Sequence, residues 1–171
     1  RTALGQQAVQ SHTASLAGEF RAFESQVRHA GAERVDDLLE FIAQAAAWTR
    51  LPAPSGPQVA VLSGSGGGGA VASDLVGESG LQAATLSPAT VQTLLALMPE
   101  AAAHLPFDLG AVPGPSRATP DWLRQVLDTM LADPDVGAGL FLMTTMPEMA
   151  ATAATVVDVN RENHKPVACV N

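Results

Sequence analysis

Two short stretches of this chain carry residue types that could do chemistry. The first, SHTASLAG at 11–18, sets His12 among small and hydroxyl side chains. A core histidine normally has Leu, Val or Ile around it, and a zinc ligand has a second ligand close by. His12 has neither. What is left for it is the chemistry of an accessible imidazole, a competent nucleophile in its neutral form near pH 7. The second stretch, GSGGGG at 64–69, follows the apolar run QVAVLS and precedes a helix-forming segment. At such a junction the free N–H groups and positive dipole end of a helix point at a bound anion. Glycines let a phosphate approach the backbone with no Cβ in the way. Gly64, Ser65, Gly66, Gly67, Gly68 and Gly69 are therefore candidate phosphate-binding residues, with Ser63 and Ser65 as hydroxyl donors. A tight turn that merely permits close helix packing explains the same residues equally well.

Two nucleotide motifs are testable by spacing. A Walker A loop needs Gly-Lys-Ser/Thr after the glycines, and Ala70-Val71 stands there instead. Gly64, Gly66 and Gly69 fit G-x-G-x-x-G, but no acid occupies Leu86–Thr90, where a dinucleotide site places its ribose-binding carboxylate. Other candidates have plainer readings. His29 and His164 read as surface residues at helix ends, and His104 lies in a loop. Asp36-Asp37 and Glu148 read as helix-start carboxylates, which the dipole favours. Asp108 falls where it can meet backbone near the glycine turn. Met143, Met146 and Met149 read as packing. No residue set has metal-ligand spacing, and no Ser-His-Asp grouping can be assembled.

The elements that must position these residues follow from composition and periodicity. The 171 residues are 47% hydrophobic but only 4% aromatic, which favours an α/β domain packed through small side chains. Nine basic residues, scattered, against a net charge of −8 exclude a nucleic-acid surface. No signal peptide, transit peptide or membrane-length apolar run is read, so a cytoplasmic protein is expected. The first residues, RTALGQQAVQ, lack Met and read as part of something longer.

Helical spacing covers 17–30, with Gly31 as stop, and 35–50, with Asp36 as N-cap; a short strand is expected at Arg34–Val35. LPAPSGP at 51–57 breaks the chain. Strand, turn and helix then alternate. The strands are expected at 58–63, 81–86, near 107–112, 136–143 and 165–170. The turn is expected over 64–70, and helices at 71–80, from Ser87-Pro88, from Thr119-Pro120, and over 147–163. Cys169 is expected to be an inert thiol in a buried strand. Alternation with apolar strands predicts a flavodoxin-like, doubly wound parallel sheet with ligands at the carboxyl ends of its strands.

The stretches SHTASLAG, FESQVRHAGAERVDDLLEF, QVAVLSGSGGGGAVASDL, LSPATVQTLLALMPE, FDLG, LADPDVGAGLFL and KPVACV occur in that order. Together they resemble the NDP-forming acyl-CoA synthetases, relatives of succinyl-CoA synthetase and of the ADP-forming acetyl-CoA synthetases. SHTxxLAG is the most specific element. The resemblance implies that His12 is the phosphohistidine of a reversible cycle in which acyl-CoA and phosphate give an acyl phosphate and CoA, and the acyl phosphate passes its phosphoryl group to the histidine and releases the acid. The phosphoryl group then passes from histidine to a nucleoside diphosphate. The glycine turn then resembles one of the two helix N-termini that grip the phosphohistidine.

The resemblance also divides the chain: 1–50 as the phosphohistidine segment and helical tail of a preceding succinyl-CoA-synthetase-like domain, 51–57 as linker, and 58–171 as a flavodoxin-like ligase domain. It implies CoA, ATP/ADP and Mg2+ for the complete enzyme, none held tightly by this chain. Partner CoA-binding and ATP-grasp domains or subunits follow, with a homodimer as a candidate assembly and no activity for this chain alone. Ala14 stands where the family usually has Gly, and Leu105 where it has Asn before Pro106. Ala14, and the family's CoA-binding and ATP-grasp domains that are not read in these residues, keep open a non-catalytic binding, assembly or regulatory module of the same fold.

Overall fold

A computed structural model describes residues 2–13, 19–99, 104–109, 119–143 and 149–170. Side chains at 12, 13 and 149 fall outside that description. Two compact units emerge, Arg1–Ala45 and Ala46–Asn171.

The first unit is helical: α1 (Ala3–Thr13), α2 (Phe20–His29) and α3 (Leu38–Arg50, which runs on into the second unit). Thr2 caps α1, its hydroxyl accepting from the Gly5 N–H at 3.1 Å. Gly31 ends α2 as expected, with φ +73°. The Gly31 N–H donates to the Arg28 carbonyl and the Ala32 N–H to the Val27 carbonyl, which closes a Schellman motif. The strand expected at Arg34–Val35 does not form: an extended dipeptide needs a neighbour to share ladder hydrogen bonds, and the described residues of this unit contain no strand. Arg34 instead pairs with Glu24 and Asp36 and lies over the Phe20 ring. The cap of α3 is Asp37, whose carboxylate accepts from the Glu40 N–H at 2.8 Å. Asp36, expected in that role, is drawn to Arg34.

The second unit builds a parallel sheet from β1 (Gln58–Ser63), β2 (Gln82–Ala83), β3 (Phe107–Asp108), β4 (Ala138–Leu142) and β5 (Val167–Val170). Its helices are α4 (Gly66–Glu78), α5 (Pro88–Leu97), α6 (Pro120–Ala132) and α7 (Met149–Glu162). The strand order is β2-β1-β4-β5, with β3 also paired to β1. Since β4 takes one edge of β1, β2 and β3 share the other: β2 beside Gln58 and Val59, β3 beside Leu62 and Ser63.

Alternate residues of β1 serve two cores. Ala60 and Leu62 pack with Leu94 of α5, Val126, Leu127 and Met130 of α6, and Val159 of α7. Val59 and Val61 pack with Ala72 and Val76 of α4. Helices thus cover both faces of a parallel sheet, the doubly wound α/β arrangement expected from the alternation of elements.

The strand expected over 81–86 is reduced to two residues. The Thr85 N–H donates to the Asp135 carboxylate at 2.5 Å and the Ser87 N–H to Asp133 at 2.9 Å, so two carboxylates after α6 take the donors a longer ladder would use. Asp133 is 2% exposed. Burial pushes its carboxyl up, but hydrogen bonds from the Thr90 side chain, the Ser87 and Asp135 N–H groups and the Ser87 hydroxyl outweigh this and hold its pKa at about 2. The segment expected to be a buried strand with an inert thiol is corrected too. β5 lies at the end of the strand order, and while Val167 is buried, Cys169 is exposed. Partial burial still pushes its thiol pKa up.

Candidate functional site

The site grows from the carboxyl end of β1. Ser63 is buried, and its hydroxyl donates to the Ser65 carbonyl at 2.7 Å while accepting the Ser65 N–H at 3.1 Å. The Gly64 N–H donates across to the Leu142 carbonyl at the end of β4. These bonds turn the chain within two residues. Ser65, with extended φ −151° and ψ 128°, is the N-cap, and its hydroxyl accepts from the Gly68 N–H at 3.4 Å.

The turn is therefore shorter than the expected 64–70. Gly66, Gly67, Gly68 and Gly69 form the first turn of α4 rather than a loop before it. A capping serine suffices to start the helix, and none of these glycines has a positive φ. Their use is close approach. A Cβ on Gly66 would lie 2.9 Å from the Asp108 Oδ2 atom, and one on Gly69 would lie 3.3 Å from Pro106.

The first-turn donors of a helix have no partner within it. Here the Gly68 N–H turns to Ser65 and the Gly69 N–H to the Ser65 carbonyl. Gly66 and Gly67 are exposed, and their N–H groups find no acceptor among the described residues. The chemical consequence is a helix end with two unused N–H donors, beside which the Asp108 carboxylate is held by the pairing of β3 with Ser63. Asp108, expected near the glycine turn, lies beside it.

This helix end is open rather than a pocket. One cavity, of about 260 Å³, is lined by residues that include Ala83, Thr85, Leu86, Val91, His104 and Leu105. Another, about 230 Å³, lies between α4, β2 and Leu105-Pro106. Neither is lined by a residue of the turn.

His12 lies in the first unit, in the last turn of α1, so SHTASLAG begins as helix. The Ser11 hydroxyl donates to the Ala8 carbonyl within that helix. Residues 14–18, including Ala14, lie outside the described residues, as do Met146 and Glu148. His29 and His164 are exposed at helix ends, as expected, and His104 is exposed beside the larger cavity. Among the described residues no group of three or more His, Cys, Asp or Glu could hold a metal ion. No described helix is long and apolar enough to cross a membrane. The residues that sequence reasoning missed are Asp133 and Asp135, which hold the start of α5; the acidic pair flanking Pro134 after α6 was their only signal.

The family model of the succinyl-CoA ligase-like flavodoxin domain matches residues 1–48. The alpha subunit of the ADP-forming acetate–CoA ligase II of Pyrococcus furiosus is 31% identical over 95% of this chain and 36% of its own length. The resemblance to the ADP-forming acyl-CoA synthetases holds. The 4-hydroxybutyrate–CoA ligase (ADP-forming) of Nitrosopumilus maritimus is 25% identical over 84% of this chain and 20% of its own length. Among solved structures, the acetyl-coenzyme A synthetase 1 of Candidatus Korarchaeum cryptofilum, in complex with phosphate and ADP, superposes with a TM-score of 0.76 at 26% identity. That match covers 98% of this chain and 36% of the synthetase chain. The chain thus spans about a third of the length of the P. furiosus subunit and a fifth of the N. maritimus ligase.

Proposed function

We propose that the chain is a portion of an NDP-forming acyl-CoA synthetase, converting a carboxylic acid, CoA and ATP to acyl-CoA, ADP and phosphate. His12 is the phosphoryl carrier, and the first turn of α4 is one of the helix ends that receive it. The observation that carries this reading is the exposed, glycine-built helix end at Gly66 and Gly67, in a chain homologous to ADP-forming synthetases and bearing SHTASLAG.

In the acyl-CoA-consuming direction, an imidazole nitrogen of His12 attacks the phosphorus of an acyl phosphate. The bond from phosphorus to the acyl oxygen breaks, and the acid leaves as a carboxylate. A terminal phosphate oxygen of the nucleoside diphosphate then attacks the phosphohistidine, the P–N bond breaks, and the imidazole is regenerated. The N–H groups of Gly66 and Gly67 hydrogen-bond the non-bridging oxygens, and the open helix end lets a group carried by another segment dock there.

In this reading 1–50 belong to a flavodoxin-like domain, 51–57 are a linker and 58–171 are the ligase domain with Gly64–Gly69 as its phosphate turn. The first part is supported by its packing: α2 and α3 bury no residue, and Leu38, Leu39, Phe41 and Ile42 are each more than half exposed. A face that apolar calls for a covering surface, which the rest of such a domain supplies. The complete enzyme needs CoA-binding and ATP-grasp partners, CoA, ATP/ADP and Mg2+. This chain alone is inactive, and the assembled protein works in the cytoplasm.

The test is phosphate labelling of the complete enzyme with ATP and Mg2+. Acid-labile, base-stable phosphate is expected, and it is lost in His12→Ala. Labelling unchanged in that variant removes His12 from the mechanism. An unlabelled wild-type protein favours the non-catalytic module, to which Ala14 is the pointer.

A further inference from the structure

We draw no further inference here: the strongest candidate, the first turn of α4 where the Asp108 carboxylate faces Gly66, belongs to the site already described and has no second observation that points to a ligand.

Discussion

The Oδ2 atom of Asp108 lies 2.9 Å from the point where a Cβ on Gly66 would sit, whereas the nearest atom to a Cβ on Gly67 is 4.0 Å away. Neighbouring glycines in one helical turn therefore face opposite constraints. Gly67→Ala is expected to stabilise the protein by roughly 0.5–1 kcal/mol, the usual gain when alanine replaces glycine at a compatible helical position. Gly66→Ala forfeits that gain because the carboxylate must move. Urea unfolding of both substitutions, alone and with Asp108→Ala, checks this. A Gly66→Ala effect that is the same with and without Asp108 would show that the contact does not matter.

Asp133 makes the fold sensitive to acid. Its folded pKa is lowered from 3.8 to about 2, so the unfolded chain binds its proton first as pH falls. Its contribution is complete above pH 3.8 and is lost as pH falls through about 2. Asp133→Asn should cost about 1–3 kcal/mol at pH 7, the range for losing hydrogen bonds to a charged group. The difference from wild type should shrink below pH 4. Denaturation profiles at a series of pH values measure it, and a difference that is flat down to pH 2 would contradict the assignment.

Gly137 is where the segment around Ser55 and Gly56 meets the sheet. The Ser55 N–H donates to its carbonyl at 3.2 Å, its own N–H donates to the Gln58 carbonyl at 2.8 Å, and a Cβ here would overlap the Gly56 backbone. Because backbone rather than a flexible side chain stands in the way, Gly137→Ala is expected to cost about 1–3 kcal/mol. A melting temperature equal to wild type would be the contrary result.

Asn160 clasps the edge strand. Its side-chain amide donates to the Val167 carbonyl at 2.9 Å and its side-chain oxygen accepts the Val167 N–H at 2.7 Å. Asn160→Ala leaves both groups without this partner and should cost about 2 kcal/mol, within the range for unsatisfied backbone groups. Hydrogen exchange should quicken in β5 more than in β1. Uniform exchange across both strands would argue against a local clasp.

How much could be read in advance depended on how local each signal was. Ser87-Pro88 and Thr119-Pro120 start helices through a side-chain cap and a fixed proline φ, and α5 and α6 begin there. Gly31 stops α2 for an equally local reason. The segment 81–86 looked like a strand but pairs over two residues, because Asp133 and Asp135, some fifty positions away, compete for its donors. Cys169 looked buried because its neighbours are apolar, yet only the strand order reveals that it lies on an edge strand.

The candidate site divides in the same way. By itself the sequence determined the residue types on offer, a histidine among small residues in SHTASLAG and a glycine-rich junction between strand and helix, since residue type and spacing need no tertiary partner. It also determined the parallel α/β plan, through alternating strand and helix signals. Only the tertiary structure decided that the glycines are a helix's first turn and that Asp108 stands before Gly66. That placement depends on β3 pairing with the last two residues of β1, a contact between segments more than forty residues apart that no local propensity encodes.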